Sequence, residues 1–470
     1  MRPGADGFPR AAAVALADPQ LRRNLRRATR TIRGNREAAV AEITDWEGLR
    51  DQAAWIKHEL LSSLDTHLER LEASVTAAGG RVHWARDGDE ACALVGDLMH
   101  SRGAREAIKM KSLTTDEIGL DHALELRGIT AWETDLAEMI VQLAHDRPSH
   151  IVVPAIHMSR GEIRDLFARS FGLPGLTDDP VELTAAARQV MRERFLRAKV
   201  GITGANFAVA ESGTIVPVES EGNGRMCNTL PPTLISIMGI EKVLPRLVDL
   251  TVMLRLLPRS AVGARMSSYV TLFTGVHEGD GPSEFHLILL DNGRTRALAD
   301  PVGREALRCI RCGACLNACP VYEHVGGHAY QAPYPGPIGS IISPQLAGMH
   351  EHPTLPFASS LCGACAEVCP VRIDIPKLLV HLRERVVTET DAESVTERVA
   401  MRMLLRTLSD RRRYQAGQRA LRLARRPLRS QLARTLPGPL AAWSSVRELP
   451  EIPQQTFREW WAARASGGTQ

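Results

Sequence analysis

The chain has 470 residues and a mass of 51.5 kDa, too long for one ordinary domain and enough for about two to four. Hydrophobic residues make up 44% and charged residues 24%, which excludes collagenous and wholly disordered chains. The formal net charge of +4 is small for this length and argues against nucleic-acid binding by the protein as a whole.

No apolar run reaches the roughly 18 to 20 residues that span a bilayer; stretches such as 151–156 and 287–290 are strand-sized. The apolar stretch 11–17 is too short for a signal peptide, so the expected location is the cytoplasm. Only six of the 58 basic residues are lysines, and arginines crowd into 22–36 and 398–434. Such runs read as solvated helix faces, or as contacts to acidic partner subunits or to an anionic membrane surface.

Residues 1–60 read as helical, with Trp46, Leu49, Trp55, Ile56 and Leu60 at helix-like spacing, and helix continues over 68–77 until Gly79-Gly80 stops it. Strands and helices then alternate. Strands are predicted over 81–85, 107–112, 129–133 and 150–154, and helices over 90–102, 115–126 and 134–144, the last capped by Thr134. Further strands are predicted over 207–210, 214–218, 269–274 and 285–289. The alternation implies a mostly parallel sheet covered by helices. Periodicity breaks near Arg304, where a cysteine-bearing segment begins, interrupted by a Pro/Gly loop at 332–337. Beyond Arg385 the chain turns helical and Arg-rich, then loosens from Pro437 into a tail that ends near Trp460 and Trp461. The expected division is an Arg-rich helical extension (1–60), an α/β domain (61–297), a cysteine domain (298–385) and a helical region with tail (386–470). In the last, Arg402, Arg406, Arg413, Arg422, Arg425 and Arg429 recur beside Met403, Leu404, Leu408, Leu421 and Leu428, giving one basic and one apolar face.

Seven of the nine cysteines fall between Cys309 and Cys369, an odd and clustered set that reads as metal ligation and not as a disulfide framework. Cys309, Cys312, Cys315 and Cys319 with Pro320 spell C-x2-C-x2-C-x3-C-P; Cys362, Cys365 and Cys369 with Pro370 spell C-x2-C-x3-C-P. Three cysteines at this spacing wrap one cubane, and the fourth, before proline, reaches the other cluster. That assigns Cys309, Cys312, Cys315 and Cys369 to one [4Fe–4S] cluster, and Cys319, Cys362 and Cys365 to a second. Zinc has no use for the x2, x2, x3, Pro series. Where the second motif should hold its first cysteine stands Ser359, a candidate oxygen ligand or a bystander. The second cluster is accordingly [4Fe–4S], or [3Fe–4S], or ligated at one iron by a group other than thiolate.

Outside the cysteines, Glu211, Ser212, Gly213 and Thr214 form one glycine-bearing loop and Glu221 to Arg225 another, each suited to turning backbone N–H groups toward an anion or simply to making a turn. Arg225 could pair bidentately with a carboxylate. Lys109 and Lys111 read as a solvated sheet edge, His150 and His157 as structural, Cys92 as core, and Cys227 as a lone thiol. No G-x-G-x-x-G follows a strand, so no nucleotide or flavin fingerprint is present.

With these motifs placed, the chain resembles the lactate-utilization protein B family. The resemblance rests on the stretch from Glu133 to Leu136, on 148–157, on 204–214, on Glu221 to Pro231, on both cysteine motifs and on Gly326 to Tyr330. It covers roughly 40–385 closely and the helical C-terminal region more loosely. It implies a fold in which an α/β domain of the ribose-phosphate-isomerase and CoA-transferase-like type precedes an α-helical ferredoxin-like two-cluster domain and a helical C-terminal region. It implies an iron–sulfur subunit of a multiprotein system that oxidises L-lactate to pyruvate, with the other subunits as partners, and an eighth cluster position that lacks cysteine throughout the family. Two functions follow: a relay of single electrons toward a downstream carrier, or an α/β domain that itself oxidises the hydroxy acid with the clusters as outlet. A redox sensor is a third, disfavoured by the absence of a DNA-binding motif.

Overall fold

The computed structural model describes residues 7–390, 395–423 and 453–466. Its centre is a six-stranded sheet, all parallel, because strands buried on both faces are read as continuous apolar runs and are joined by covering helices. The described strands are β1 (Arg81–Ala85), β2 (Glu106–Lys109), β3 (Thr130–Glu133), β4 (Val200–Gly204), β5 (Phe207–Val209), β6 (Thr214–Val216), β7 (Val218–Glu219), β8 (Thr233–Gly239), β9 (Val243–Leu244), β10 (Tyr269–Val270) and β11 (Glu284–Leu290). The sheet runs β1-β11-β8-β4-β2-β3, and β6-β5-β9 and β10-β7 form two small sheets beside it. β8 and β11 align from Thr233 beside Glu284 to Gly239 beside Leu290, and both are buried along nearly their whole length.

The chain leaves β2 outward to β3 and then returns to β4 on the other side of β2. That reversal makes the carboxyl ends of β2 and β4 a topological switch point, the place where open α/β sheets expose a crevice.

Several local expectations are corrected. Residues 150–154 form no strand: His150 Nδ1 accepts the N–H groups of Val152 and Val153 at 3.0 and 3.1 Å, and these side-chain bonds close a loop in place of a ladder. Asp135, not Thr134, caps the helix Leu136–Leu143, since its carboxylate takes the N–H groups of Ala137 and Glu138 more strongly than a hydroxyl would. The helix expected over 115–126 is two short ones, Leu113–Glu117 and Leu120–Glu125, broken at Gly119, where φ is +63°. The strand expected over 269–274 is only Tyr269–Val270. The central strands β4 and β8 escape the sequence patterns, because an unalternating apolar or glycine-rich run carries no period-two signal.

Four helices precede the sheet: α1 (Gly7–Leu16), α2 (Pro19–Ala41), α3 (Trp46–Ser62) and α4 (Leu64–Ala77). The first three share a core with the cysteine segment, in which Leu25, Trp46, Leu49 and Ile56 pack with Cys312, Leu316, Tyr322 and Leu379. The first arginine run stays largely exposed to solvent, but one of its faces is paired. Arg26, Arg30 and Arg33 on α2 converge on Glu323 at 3.5, 3.7 and 2.8 Å.

Contacts divide the chain into two units, Met1–Thr390 and Asp391–Gln470. In the second, helices Val395–Leu408 and Arg411–Leu423 leave Met403, Leu404 and Leu408 exposed. Helix Phe457–Ser466 stacks Phe457 with Trp460 and Trp461, and its Glu459 pairs with Arg422. Arg425, Leu428, Arg429 and the tail from Pro437 to residue 452 lie outside the described residues. No helix among the described residues is long and apolar enough to cross a membrane.

Candidate functional site

The two cysteine motifs fold to the same backbone rhythm. Arg311 and Gly313 lie at φ +58° and +76°, and the corresponding Leu361 and Gly363 at +56° and +89°. Left-handed turns fold each motif back on itself, and a non-glycine residue held there costs of order 1–3 kcal/mol, which surrounding structure must offset. A short helix follows each turn, Ala314–Ala318 carrying Cys315 and Ala364–Glu367 carrying Cys365. Cys319 precedes Pro320 at the start of helix Pro320–Val325.

The fold brings the thiols together in two groups. Cys312 and Cys315 are each perturbed by the charges of Cys309 and Cys369, and Cys365 by those of Cys319 and Cys362; Cys315 also feels Cys365 across the gap between groups. All seven are unpaired thiols. Burial, then the charges of neighbouring thiols, pushes Cys365 up to about 12, and burial pushes Cys369 up to about 11. Backbone N–H groups nevertheless aim at the sulfurs: Arg311 N lies 3.3 Å from Cys309 Sγ and Ile373 N 3.4 Å from Cys369 Sγ. Crowded buried thiols with donors aimed at them suit thiolates neutralised by metal cations, so these residues fit iron–sulfur clusters.

Cations from distant elements surround the first group. Arg50 of α3, 4% exposed, donates to the carbonyls of Cys369 at 2.9 Å and Ala366 at 3.2 Å. Arg36 of α2 donates to Val368 O at 3.1 Å. Arg311 reaches Glu241, just beyond the carboxyl end of β8, at 3.1 Å, and Glu241 is bound in turn by Arg294 at 2.5 Å. Burial alone would raise Glu241, but Arg294, Arg311 and Lys242 hold it at about 2. Arg294 continues to Glu117 at 2.9 Å, which also accepts from Tyr334. A buried network of charge thus joins the sheet's carboxyl edge to the first cysteine motif.

The second group is nearer the surface, with Cys362 exposed. Ser359 sits in the loop before it, where its hydroxyl oxygen accepts the Leu361 N–H at 3.1 Å and its carbonyl accepts from Arg383 at 3.2 Å.

The glycine loops have other occupants. Glu219 Oε2 takes the N–H groups of Glu221 at 3.2 Å and Gly222 at 2.6 Å, and its Oε1 that of Arg225 at 3.0 Å, so the loop's donors already hold a carboxylate of the chain itself. The Arg225 guanidinium lies over Tyr269. Glu211 accepts the N–H of Leu247 at the start of helix Leu247–Val262. Ser212 and Thr214 bond each other at 2.7 Å, and a Cβ on Gly213 would lie 2.7 Å from the Val75 nitrogen. Cys92 is core, and Cys227 is buried 3.5 Å from Thr134 Oγ1.

Lys109 overturns its sequence reading. It is not at a solvated edge but wholly buried at the carboxyl end of β2, ion-paired with Glu133 at the end of β3, 3.6 Å from Asp121 and 3.9 Å from Asp116. β4 supplies the cover, a strand the sequence did not disclose. Beside it, half-buried Lys111 lies 3.6 Å from Glu138, whose carboxyl is pushed up to about 7 by burial and by Asp116. Glu133 Oε2, Glu138 Oε1 and Asp121 Oδ1 are buried without a hydrogen-bond partner. The signal available beforehand was opposite charge at the ends of two adjacent buried strands.

With this geometry in place, likeness to known proteins is informative. Residues 68–290 match the LUD domain, 305–373 a 4Fe–4S dicluster domain, and 381–466 the C-terminal region of lactate utilisation protein B. The chain is 42% identical to lactate utilization protein B of Oceanobacillus iheyensis over 93% of its length and 92% of the relative's. The chain belongs to the lactate utilization protein B family. It is also 39% identical to the Bacillus subtilis member, over 99% of this chain and 98% of that one. A relative in Escherichia coli K12, named "Uncharacterized electron transport protein YkgF", is 43% identical over 95% of this chain and 94% of its own. The cysteine motifs lie inside the dicluster match, so family and thiol chemistry agree on iron–sulfur clusters.

Proposed function

We propose that this member of the family is the electron-transfer subunit of a multiprotein system that oxidises L-lactate to pyruvate. Cys309, Cys312, Cys315 and Cys369 would hold one [4Fe–4S] cluster, and Cys319, Cys362 and Cys365 a second. When bound, such clusters supply one-electron redox steps. The observation that carries the reading is the pair of thiol groups linked through Cys315 and Cys365 within one core. The protein's own contribution is positional and electrostatic. Backbone N–H groups and the Arg36, Arg50 and Arg311 cations favour the more negative, reduced state, and the apolar core around Leu316 and Tyr322 excludes water. Oxidising lactate releases two electrons and two protons, and the chain has no nucleotide fingerprint for a two-electron carrier. Partner subunits would therefore perform that step, and a downstream carrier would accept the electrons. In this reading 1–60 is a helical Arg-rich extension, 61–297 the α/β lactate-utilization domain, 298–385 the relay and 386–470 a contact to partner subunits or membrane, in the cytoplasm.

A second reading, oxidation within the α/β domain, draws support from Lys109, Glu133 and Glu138 at the switch point. Anaerobically purified protein assayed alone, and again with its partner subunits, for lactate-dependent dye reduction tests both. Reduction only with partners is expected. Robust turnover by the isolated chain would replace the relay with the second reading, and about one zinc with no acid-labile sulfide would end both.

A further inference from the structure

We infer that Asp146, His157 and His328 form a binding site for a divalent first-row transition metal, separate from the cysteine clusters. One ligand atom from each side chain lies within 4.8 Å of the other two. His157 Nε2 is 3.0 Å from Asp146 Oδ2, and His328 Nε2 is 4.0 Å from Asp146 Oδ1. Donors bound at about 2.0–2.2 Å to one ion sit roughly 3.0–3.5 Å apart in octahedral or tetrahedral geometry, so closing a set whose atoms lie within 4.8 Å of one another needs side-chain shifts of no more than about 2 Å.

The scaffold fixes these groups in advance. His157 Nδ1 is held by Ser149 Oγ at 2.8 Å, the kind of oxygen partner that orients the non-ligating nitrogen of a metal-bound histidine, and this leaves Nε2 directed toward Asp146. Ser149, 2% exposed, is fixed through its backbone N–H to Pro154 O at 3.0 Å, and its carbonyl accepts from Tyr322 at 2.6 Å. His328 comes from the cysteine segment, more than 170 positions along. It reaches the loop because Gly327 has no side chain: a Cβ there would lie 1.9 Å from Ser149 O. The ring of His328 meets that of His157 edge-on, with centroids 4.7 Å apart.

The donor set defines the ligand class. Two imidazoles and one carboxylate suit Zn2+, Fe2+ or Co2+ and not Mg2+ or Ca2+, which seek oxygen. Asp146 and His328 are exposed, which gives the ion an entry path and leaves positions for water. The competing arrangement needs no metal: His157 donates to Asp146, and His328 Nε2 donates to Arg147 O at 2.7 Å. Metal binding would exchange both bonds for coordination, each ring carrying its proton on Nδ1 instead; in His157 that proton is donated to Ser149 Oγ, whose own hydroxyl donates to Pro154 O at 3.1 Å.

The test uses anaerobically purified full-length protein, stripped with a chelator that leaves cluster iron and sulfide unchanged, and then titrated with Co2+. One equivalent with a visible d–d spectrum and a raised melting temperature is expected. His157→Gln and His328→Ala should each weaken it by roughly tenfold or more. Asp146→Asn keeps an oxygen near His157 while removing the anionic donor, so it should weaken cobalt binding with little change in the metal-free melting temperature. Iron and sulfide content should match wild type in all three. No stoichiometric cobalt, binding unchanged in the variants, or a thiolate-to-cobalt charge-transfer band would overturn the site without touching the relay reading.

Discussion

Lys109 is the residue on which the α/β domain's electrostatics turn. An ammonium wholly out of water is tolerated because three carboxylates, led by Glu133, surround it and keep it charged. Lys109→Met should destabilise the protein by about 3–5 kcal/mol in urea unfolding, whereas Lys109→Met with Glu133→Leu should cost clearly less. Additive losses would show that the two side chains do not interact. Glu138 provides a pH signature. Its carboxyl rises from 4.5 to about 7, so between those values the native state keeps a proton that the unfolded chain has released. Stability should fall as pH rises through that window, by up to about 3 kcal/mol, and Glu138→Gln should flatten the slope. Melting curves from pH 4.5 to 7.5 check the sign. Ser359→Cys would add a fourth thiolate to the second group. Air should then convert that cluster to a three-iron form more slowly than in wild type, as read by electron paramagnetic resonance. Equal resistance in both proteins would mean that another group already supplies the eighth ligand.

At the scale of elements, α2 and α3 grip the cysteine segment. Trp46, Leu49 and Ile56 contribute apolar surface, while Arg50 crosses the core to the Cys369 and Ala366 carbonyls. Removing that cation should disfavour the added electron on the nearest cluster. Arg50→Met is expected to lower the first cluster's reduction potential relative to the second in an anaerobic redox titration. A shift confined to the second cluster would contradict the assignment of Cys369. The same elements show where sequence patterns mislead. The apolar stripe of α3 is legible in the sequence, yet Trp55 lies off it and is 58% exposed, because at roughly 100° per residue it stands on the opposite face of the helix from buried Trp46. The 150–154 run looked like a strand, and only the His150 ring, bonded to Asn317 at 3.1 Å, shows why it is a loop tied to the cysteine segment.

For the whole molecule, the chain up to Thr390 forms one unit whose core already includes both cysteine motifs. A protein ending there should keep both clusters' spectra and its main melting transition. The exposed Met403, Leu404 and Leu408, flanked by arginines, are then the surface whose loss should weaken association with partner subunits or anionic vesicles. Unchanged co-sedimentation and complex assembly would reduce that face to a solvated helix.

The sequence by itself determined the parts whose chemistry is local. Cysteine spacing and the prolines after Cys319 and Cys369 specify cluster motifs because a short chain can wrap a cubane only at such intervals. The β–α alternation declared the parallel sheet because its period changes from two to 3.6. Tertiary structure decided what depends on distant neighbours. Burial of Lys109 required β4 as a cover, and the burial of Arg50 required α3 to lie against Cys369, 319 positions away. Glu219 filling its own glycine loop, and Asp146 and His157 meeting His328, likewise arise from long-range approach. No spacing rule encodes such meetings, because side chains separated by many residues acquire fixed distances only when the core packs.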